Sequence, residues 1–544
     1  MIGTPVFAQR GQQQSAQITT IPAPIKGMDV RQTLSHMEPD ISIFSYNFTP
    51  APYGMELRKG FREWASKIYT NKVDTTGVRS ILTFTGGAAG TGDDKLFAVT
   101  NQGIYDITDY NAPPVEKILF PVPTETAGYG IDLQYEDEGG HQYLFYADDR
   151  NGLYYYDPVS GDWAEYNGIT GIVREEIVYI TVHKQRIWVA LRDSSTGYYL
   201  DPAAVSGSAT PFYFGSLFSH GGHLKGLYNW SIDGGSGTDD MLVAVSSTGD
   251  VLPYKGEDPS TSDTWSLVGK YFVGAIPFGR RIMNEFGGSL YLLSSYGVIG
   301  MQDLLKGVDP KDVSASSIAY KIAPIIRSHI EKTRYQYGWE IMFAPSEGIF
   351  IVNAPIYYNE PQIQYIMDLT TEGWGMWRGV PMNCMKEWGG KVFFGQGNSV
   401  YVMDGTKDKV KKEVQEGVSN GIPIEFSLLT SFQKFGGDGL YKKIELIRPD
   451  FMSTIPPDYL MKAVYDYKFV EPTLPYSVST HRGGFWDIGR WDNCVWQSDD
   501  AFGISGLHGA SGIGRTAAVA IRGSTSAKLR LISFDIVWKA GGAI

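Results

Sequence analysis

Apolar and polar positions along this chain fall into a unit that returns about every 50 residues: an apolar strand, a short polar turn, a glycine and a second apolar strand. The clearest copy is Lys95-Leu96-Phe97-Ala98-Val99-Thr100, then Asn101-Gln102, then Gly103-Ile104-Tyr105-Asp106-Ile107. Further copies place the glycine at Gly152, Gly197, Gly249, Gly297 and Gly348, and the seventh has Asn398 in that slot. The steps are 49, 45, 52, 48, 51 and 50 residues. Gly, and Asn to a lesser degree, tolerates the positive φ that a tight hairpin needs. The flanks are rich in Val, Ile, Tyr and Phe, which suit a pleated, half-buried surface. A period near 50 is long enough for one four-stranded propeller blade. The pattern predicts an all-β chain with a six- or seven-bladed β-propeller over residues 78–405.

Outside the repeat the pattern changes. Residues 1–20, with Gly11-Gln12-Gln13-Gln14, read as a flexible Gln-rich arm. Residues 21–77 read as short extended pieces punctuated by Pro and Gly, an arm that packs on the C-terminal domain. Within 302–334, Ile318, Ile322, Ile325, Ile326 and Ile330 recur at helical spacing, with Pro324 interrupting, so a helical insertion within a blade is expected. The charged run Lys407-Asp408-Lys409-Val410-Lys411-Lys412-Glu413 falls in a linker over 406–419 and reads as a solvated turn. Residues 420–544 predict a C-terminal β-sandwich with strands at 422–430, 442–448, 459–469, 516–522 and 528–538. In the last, Ile532, Phe534, Ile536 and Trp538 share one face at period two.

Composition narrows the function. The 47 basic and 59 acidic residues give a net charge of −12, which argues against a protein that grips nucleic acid through a basic patch. The first 20 residues lack the basic start and apolar run of a secretory leader, and no apolar run reaches membrane-spanning length. The two cysteines, Cys384 and Cys494, do not make a disulfide framework and read as buried free thiols.

Candidate chemistry is sparse. The chain has no Walker A loop, GxSxG elbow, HExxH helix or CxxC pair. His220-Gly221-Gly222-His223 offers two imidazoles on a loop, but a metal there needs ligands from elsewhere. Ser231-Ile232-Asp233-Gly234-Gly235 opens like the Asp-box turn of sialidase propellers, yet Gly237 and Thr238 stand where the closing Thr-Trp belongs. Trp486, Trp491 and Trp496, at five-residue steps, suit either a sugar-binding platform or, more simply, a β core or interface. Asn47-Phe48-Thr49 and Asn229-Trp230-Ser231 match the N-glycosylation pattern. No catalytic, cofactor-binding or metal-binding residue is assigned, and no cofactor is expected.

A family resemblance rests on several segments. Gly27-Met28-Asp29, Tyr46-Asn47-Phe48-Thr49-Pro50 and Leu57-Arg58-Lys59-Gly60-Phe61 resemble the opening of tail nozzle proteins of short-tailed phages, also called tail tubular protein B or packaged-DNA stabilisation proteins. The propeller hairpin at 96–107 and Trp374-Gly375-Met376-Trp377 leading to 392–404 are similar to the same family. So are 443–449, 491–496 and the ending Ser533-Phe534-Asp535-Ile536-Val537-Trp538-Lys539-Ala540-Gly541-Gly542. The resemblance implies a structural virion protein of the phage tail, assembled in the host cytoplasm, and not an enzyme. It implies a homo-oligomer, a six-fold ring below the portal, docked on an adaptor (head-to-tail connector) protein and carrying a tail fibre or tip protein. Packaged double-stranded DNA would pass it without sequence-specific binding, and the chain would not insert in a membrane. Six copies at −12 each carry −72, which suits a conduit that must not hold the phosphate backbone. Acidic loops such as Asp93-Asp94 and Asp239-Asp240 are candidates to face the lumen. The alternatives are a β-propeller that binds or cleaves glycans, and an intracellular scaffold. Deleting residues 1–30 is expected to weaken ring assembly or adaptor docking and leave the propeller folded, with circular dichroism and negative-stain microscopy of the truncation as the check.

Overall fold

The computed structural model describes residues 16–69, 77–86, 94–231, 240–306, 317–358, 360–413, 420–436, 439–469, 483–484, 495–496 and 502–543. The chain forms two compact units, one built from residues 1–57 with 425–544 and the other from residues 58–424.

The larger unit is a propeller whose described residues make seven blades. Blades one to four each run inner to outer along four antiparallel strands. They begin at the inner strands Val78–Phe84, Gly130–Glu136, Ile177–His183 and Leu224–Trp230. Blade five has three strands, Met283–Phe286, Ser289–Ser294 and Gly297–Gly300. Blade six runs from Glu340–Ala344 to Trp374–Arg378, and blade seven from Cys384–Trp388 through Lys391–Gln396 to Ser399–Met403. The fourth strand of blade seven comes from the start of the unit. Phe61–Ala65 pairs antiparallel with Ser399–Met403, so the two ends of the ring are laced into one sheet. By its sequence this strand falls in the expected N-terminal arm, with a boundary at residue 77. The boundary falls at residue 57, because alternate residues of Phe61–Ala65 are buried against blade seven.

Neighbouring blades share apolar cores. Val78, Ile81 and Ala98 of blade one pack with Cys384, Phe393 and Val400 of blade seven. Phe97 of blade one meets Tyr156 and Trp163 of blade two. Between blades three and four, Trp188, Phe212, Tyr254 and Trp265 form an aromatic stack, with Trp188 and Trp265 5.9 Å apart. Between blades five and six, Phe286 stacks on Phe343 at 4.5 Å.

The repeat is a blade repeat with one slip. In six blades the glycine hairpin joins the second and third strands, but Gly348 lies between the first and second strands of blade six. Blade five lacks a described fourth strand, and helices Met301–Leu305 and Ala323–Thr333 lie between its last strand and blade six. Ser317 bridges Ile299 of the third strand, so Met301–Leu305 lies within blade five, as an insertion there would, and Ala323–Thr333 follows it. Pro324 sits in the first turn of the second helix, where the missing N–H costs nothing, so it opens the helix where an interruption was expected. The glycine slot also has two physical causes. Gly152 has φ +80°, whereas Gly103 is not left-handed, and a Cβ there would meet the Ile118 carbonyl oxygen at 2.1 Å. In the seventh hairpin the left-handed residue is Gly397 at φ +50°, one before Asn398.

The smaller unit is a β-sandwich. One sheet contains Gln17–Pro22, Phe48–Ala51, Gly54–Leu57, Leu440–Ser453 and Leu529–Ala543. Across the core lie Ser42–Tyr46, Ile422–Thr430, Ala517–Thr525 and Asp458–Tyr465. Ile21, Phe48 and Met55 from the N-terminal segment share that core with Phe426, Leu428, Ile447, Val519, Phe534 and Trp538. Gln17–Pro22 pairs antiparallel with residues 533–538, so the expected flexible arm is an ordered strand from Gln17 onward. Residues 1–15 lie outside the described residues. A cut at residue 30 would remove this strand along with the buried side chains of Ile21 and Met28, so a truncation that probes the arm alone stops before Gln17. The predicted face of the last strand holds for Phe534, Ile536 and Trp538, but Ile532 is 41% exposed. Asp450 pairs with Ser533 and Phe451 with Leu531, so Ile532 is the extra residue of a β-bulge and the alternation changes phase there.

The charged run after blade seven is not a plain solvated turn. Lys407–Asp408 pairs with residues 422–423, and Asp408 accepts from Arg58 Nη1 at 2.7 Å and Nη2 at 2.5 Å. The two side chains are 8% and 1% exposed. Removing one partner of such a pair leaves an uncompensated buried charge. Asp408→Ala is expected to destabilise the propeller by about 3–5 kcal/mol, and Arg58→Met combined with Asp408→Leu by clearly less, as read by chemical denaturation.

Candidate functional site

The seven inner strands enclose an axial cavity of about 410 Å³. Inner strands of a propeller expose one face to its axis, and here that face carries charge. Lys386 of blade seven reaches past blade one to Asp132 of blade two, with Nζ to Oδ2 at 2.8 Å and to Oδ1 at 3.0 Å. Arg281, entering blade five, donates to the Arg79 carbonyl of blade one at 2.8 Å. Its Nε also lies 3.5 Å from Glu340 Oε1 of blade six. The other Glu340 oxygen accepts from the Met385 N–H at 3.0 Å. Burial raises the Glu340 carboxyl above its ordinary range, and Arg281 opposes that rise. The axis is thus bridged by side chains from non-adjacent blades.

The end of the axis at which the inner strands begin is closed. Asp149, in the turn between the second and third strands of blade two, accepts from Arg280 Nε at 2.5 Å and from the Tyr337 hydroxyl at 2.7 Å. Tyr337 stacks on Tyr129 at 4.2 Å, and the Arg79 guanidinium lies 4.9 Å from the Tyr129 ring. Arg280 Nη1 donates to the Lys225 carbonyl at 2.7 Å. The space left is about 10 Å³, at most one water. Burial works to raise the Asp149 carboxyl, but the Arg280 guanidinium holds it below its usual value. The Lys225 amine is pushed down to about 7, by burial first and then by Arg280. Such a cluster holds a rigid closure and has no room for a substrate.

The other end, where the inner strands finish, opens into a cavity of about 760 Å³ beside blades two to four. Asn229 belongs to both this cavity and the axial one, so the two meet.

The structure disperses the candidates drawn from sequence. His220 Nδ1 lies 2.7 Å from Asp250 Oδ1 and the His220 N–H donates to Asp250 Oδ2, while His223 Nδ1 lies 3.9 Å from Asp193. Among the described residues no three metal-ligating side chains come together. The Ser231 N–H donates to Glu285 Oε1, and residues 232–239 lie outside the described residues. So do Trp486, Trp491 and Cys494. Trp496 is described only as part of the short strand Val495–Trp496. Cys384 is buried, and burial pushes its thiol up to about 12. Asn47 is buried and donates to the Glu425 carbonyl, and the Asn229 side chain bonds His183. Of the acidic loops, Asp240 is buried, Asp94 accepts from the Gly86 N–H, and Asp93 and Asp239 lie outside the described residues. The loop Asp148-Asp149-Arg150-Asn151 turns its carboxylates inward. Asp148 accepts backbone N–H groups from Gly128, Arg150 and Asn151 and is fully buried. The axial cluster escaped sequence reasoning, since Asp149, Arg280 and Tyr337 come from three blades and share no local spacing.

No family model and no curated protein matches the chain. Among solved structures, the extracellular domain of a hybrid two-component system from B. thetaiotaomicron is similar over 76% of this chain at 13% identity and a TM-score of 0.41. This chain spans 55% of that structure's length, little more than half. BBS1N, solved in complex with ARL6DN, is similar over 45% of this chain and 74% of its own, at 12% identity and a TM-score of 0.28.

Lys225 gives the closed end a pH signature. An amine whose folded pKa lies below its unfolded value penalises folding fully at pH below about 7. That penalty is lifted as pH rises from 7 towards 10.5, because the unfolded chain then binds more protons than the folded one. Lys225→Met is expected to stabilise the propeller by a few kcal/mol at pH 6, with the gain fading towards pH 10, as read by thermal melts across that range.

Proposed function

We propose that this chain is the structural subunit of a ring-shaped nozzle at the end of a short phage tail. In this role it docks below an adaptor ring, surrounds and retains packaged DNA, and supports a fibre or tip. The observation that carries the reading is where the resembling segments lie. Gly27-Met28-Asp29, the Tyr46–Pro50 region, residues 443–449 and the ending from Ser533 stand far apart in sequence, yet all belong to one sandwich. The other resembling segments, 96–107, 374–377 and 392–404, lie in the propeller.

The axial ion pairs sharpen the reading. A propeller bridged from Lys386 to Asp132 at 2.8 Å leaves no passage for a duplex along its own axis. A conduit must therefore be enclosed by several copies, and a closing ring of heterologous contacts is the simplest such enclosure. The charge of −12 per chain keeps the DNA backbone from adhering to a wall made of these chains. This role needs no catalytic residue and no cofactor. Double-stranded DNA passes by shape and repulsion.

Negative-stain microscopy of the purified chain, alone and mixed with the adaptor from the same phage, tests the ring. Six-fold rings with an open centre are expected, at least on the adaptor. A chain that stays monomeric under both conditions would contradict the proposal.

A further inference from the structure

The open end of the propeller carries a built cavity that the nozzle role does not use. Its wall in blade three is the hairpin turn Lys184-Gln185, and both residues are left-handed, at φ 48° and 58°. Such a two-residue turn ordinarily takes Asn-Gly, so two long side chains here hold backbone strain that the surroundings must enforce. The Ala203 N–H donates to the Gln185 carbonyl at 2.7 Å, and Ala203 is itself left-handed at φ 60°. The strain keeps Lys184 and Arg186 at the cavity edge. Lys184 Nζ stands 3.8 Å from Asp240 Oδ2. Arg186 lies over the Tyr199 ring, donates to the Leu200 carbonyl at 3.3 Å, and reaches Asp258 at 3.4 Å. Deeper in, the Asn229 carbonyl oxygen is engaged by the buried His183 ring at 2.6 Å, so Asn229 offers the cavity its amino group. Tyr135, from the end of the inner strand of blade two, completes the wall.

The chemistry of this set selects a ligand class. Among the described lining residues two cations, Lys184 and Arg186, face three carboxylates, Asp240, Glu257 and Asp258, so they carry no net positive charge with which to hold a phosphate or another polyanion. Among the described lining residues only Val182 and Pro202 are aliphatic, too little for a lipid or a drug-like apolar molecule. What remains is an alternation of donors and acceptors, from guanidinium, ammonium and amide to carboxylates, beside one aromatic ring. Vicinal hydroxyls need that arrangement, each giving one hydrogen bond and taking another, and an aromatic ring packs against the C–H face of a sugar. The volume of about 760 Å³ lies in the range of small-molecule sites. We infer that this cavity binds a segment of a neutral carbohydrate, with Arg186, Asp258, Lys184 and Asn229 on its hydroxyls and Tyr135 against a ring face. The inference stands on the cavity alone and is independent of ring assembly.

The test is a glycan array of neutral microbial and plant saccharides probed with the full chain, followed by calorimetric titration of the strongest hit. Heparin and inorganic phosphate serve as anionic controls. Binding of at least one neutral oligosaccharide at about 1 mM or tighter is expected. Tyr135→Ala and Arg186→Ala should each weaken it about tenfold or more, a loss of roughly 1.4 kcal/mol, with melting curves confirming the fold. If Arg186→Ala does not fold, Asp258→Asn replaces it, since that change keeps the side-chain shape and removes only the charge. The inference is overturned if no neutral saccharide binds, if binding ignores the folded variants, or if heparin or phosphate competes for the cavity. Ring assembly is measured without saccharide, so a failure there leaves this result standing, and the reverse holds as well.

Discussion

Closure of the propeller depends on one strand pairing. The chain enters this unit at Arg58 and leaves it at Ile424, and Phe61–Ala65 completes the blade formed last. Until it pairs with Ser399–Met403, blade seven has an open edge and the ring has two loose ends. The buried Arg58 and Asp408 stand beside this seam, with Asp408 placed by the short pairing of Lys407–Asp408 with residues 422–423. Lys411 adds an ion pair to Glu63 at 2.7 Å. Entry and exit of the chain are fastened at one place, so the blades are held as a closed cycle and not as a stack with exposed ends.

Buried charge is spent unevenly around that cycle. The end where inner strands begin gathers Arg79, Asp149, Arg280 and Lys225 with two stacked tyrosines and is shut. The end where inner strands finish sets Lys184 and Arg186 each beside a carboxylate around open space. The first arrangement fixes the blades relative to one another through bonds that skip neighbours. The second leaves hydrogen-bonding groups able to serve something else.

Much of the fold was legible in the sequence because its cause is local. Glycine hairpins flanked by β-formers give the blades, and apolar runs such as Ile422–Thr430 mark the strands of the sandwich. What was lost depends on distant partners. Val115–Leu119, an outer strand, is mostly exposed and shows no clean alternation, which blurs the strand count per blade. Phe61–Ala65 gives no sign that its partner lies at residues 399–403. Asp408 sits in a run that looks solvated until Arg58 is placed beside it. Ile532 breaks a period-two face because the bulge is set by the register of the opposite strand. The cavity beside Lys184 was invisible for the same reason, since its walls come from three blades and its signal is a left-handed turn without glycine.

The proposed nozzle role makes this chain a subunit that works by assembly with its copies. Immunogold electron microscopy with an antibody to residues 420–544, on phage particles from the source of this sequence, tests that claim most directly. Gold at the far end of a short tail is the predicted result. Particles that stay unlabelled, while the same antibody binds the purified folded chain, would contradict it.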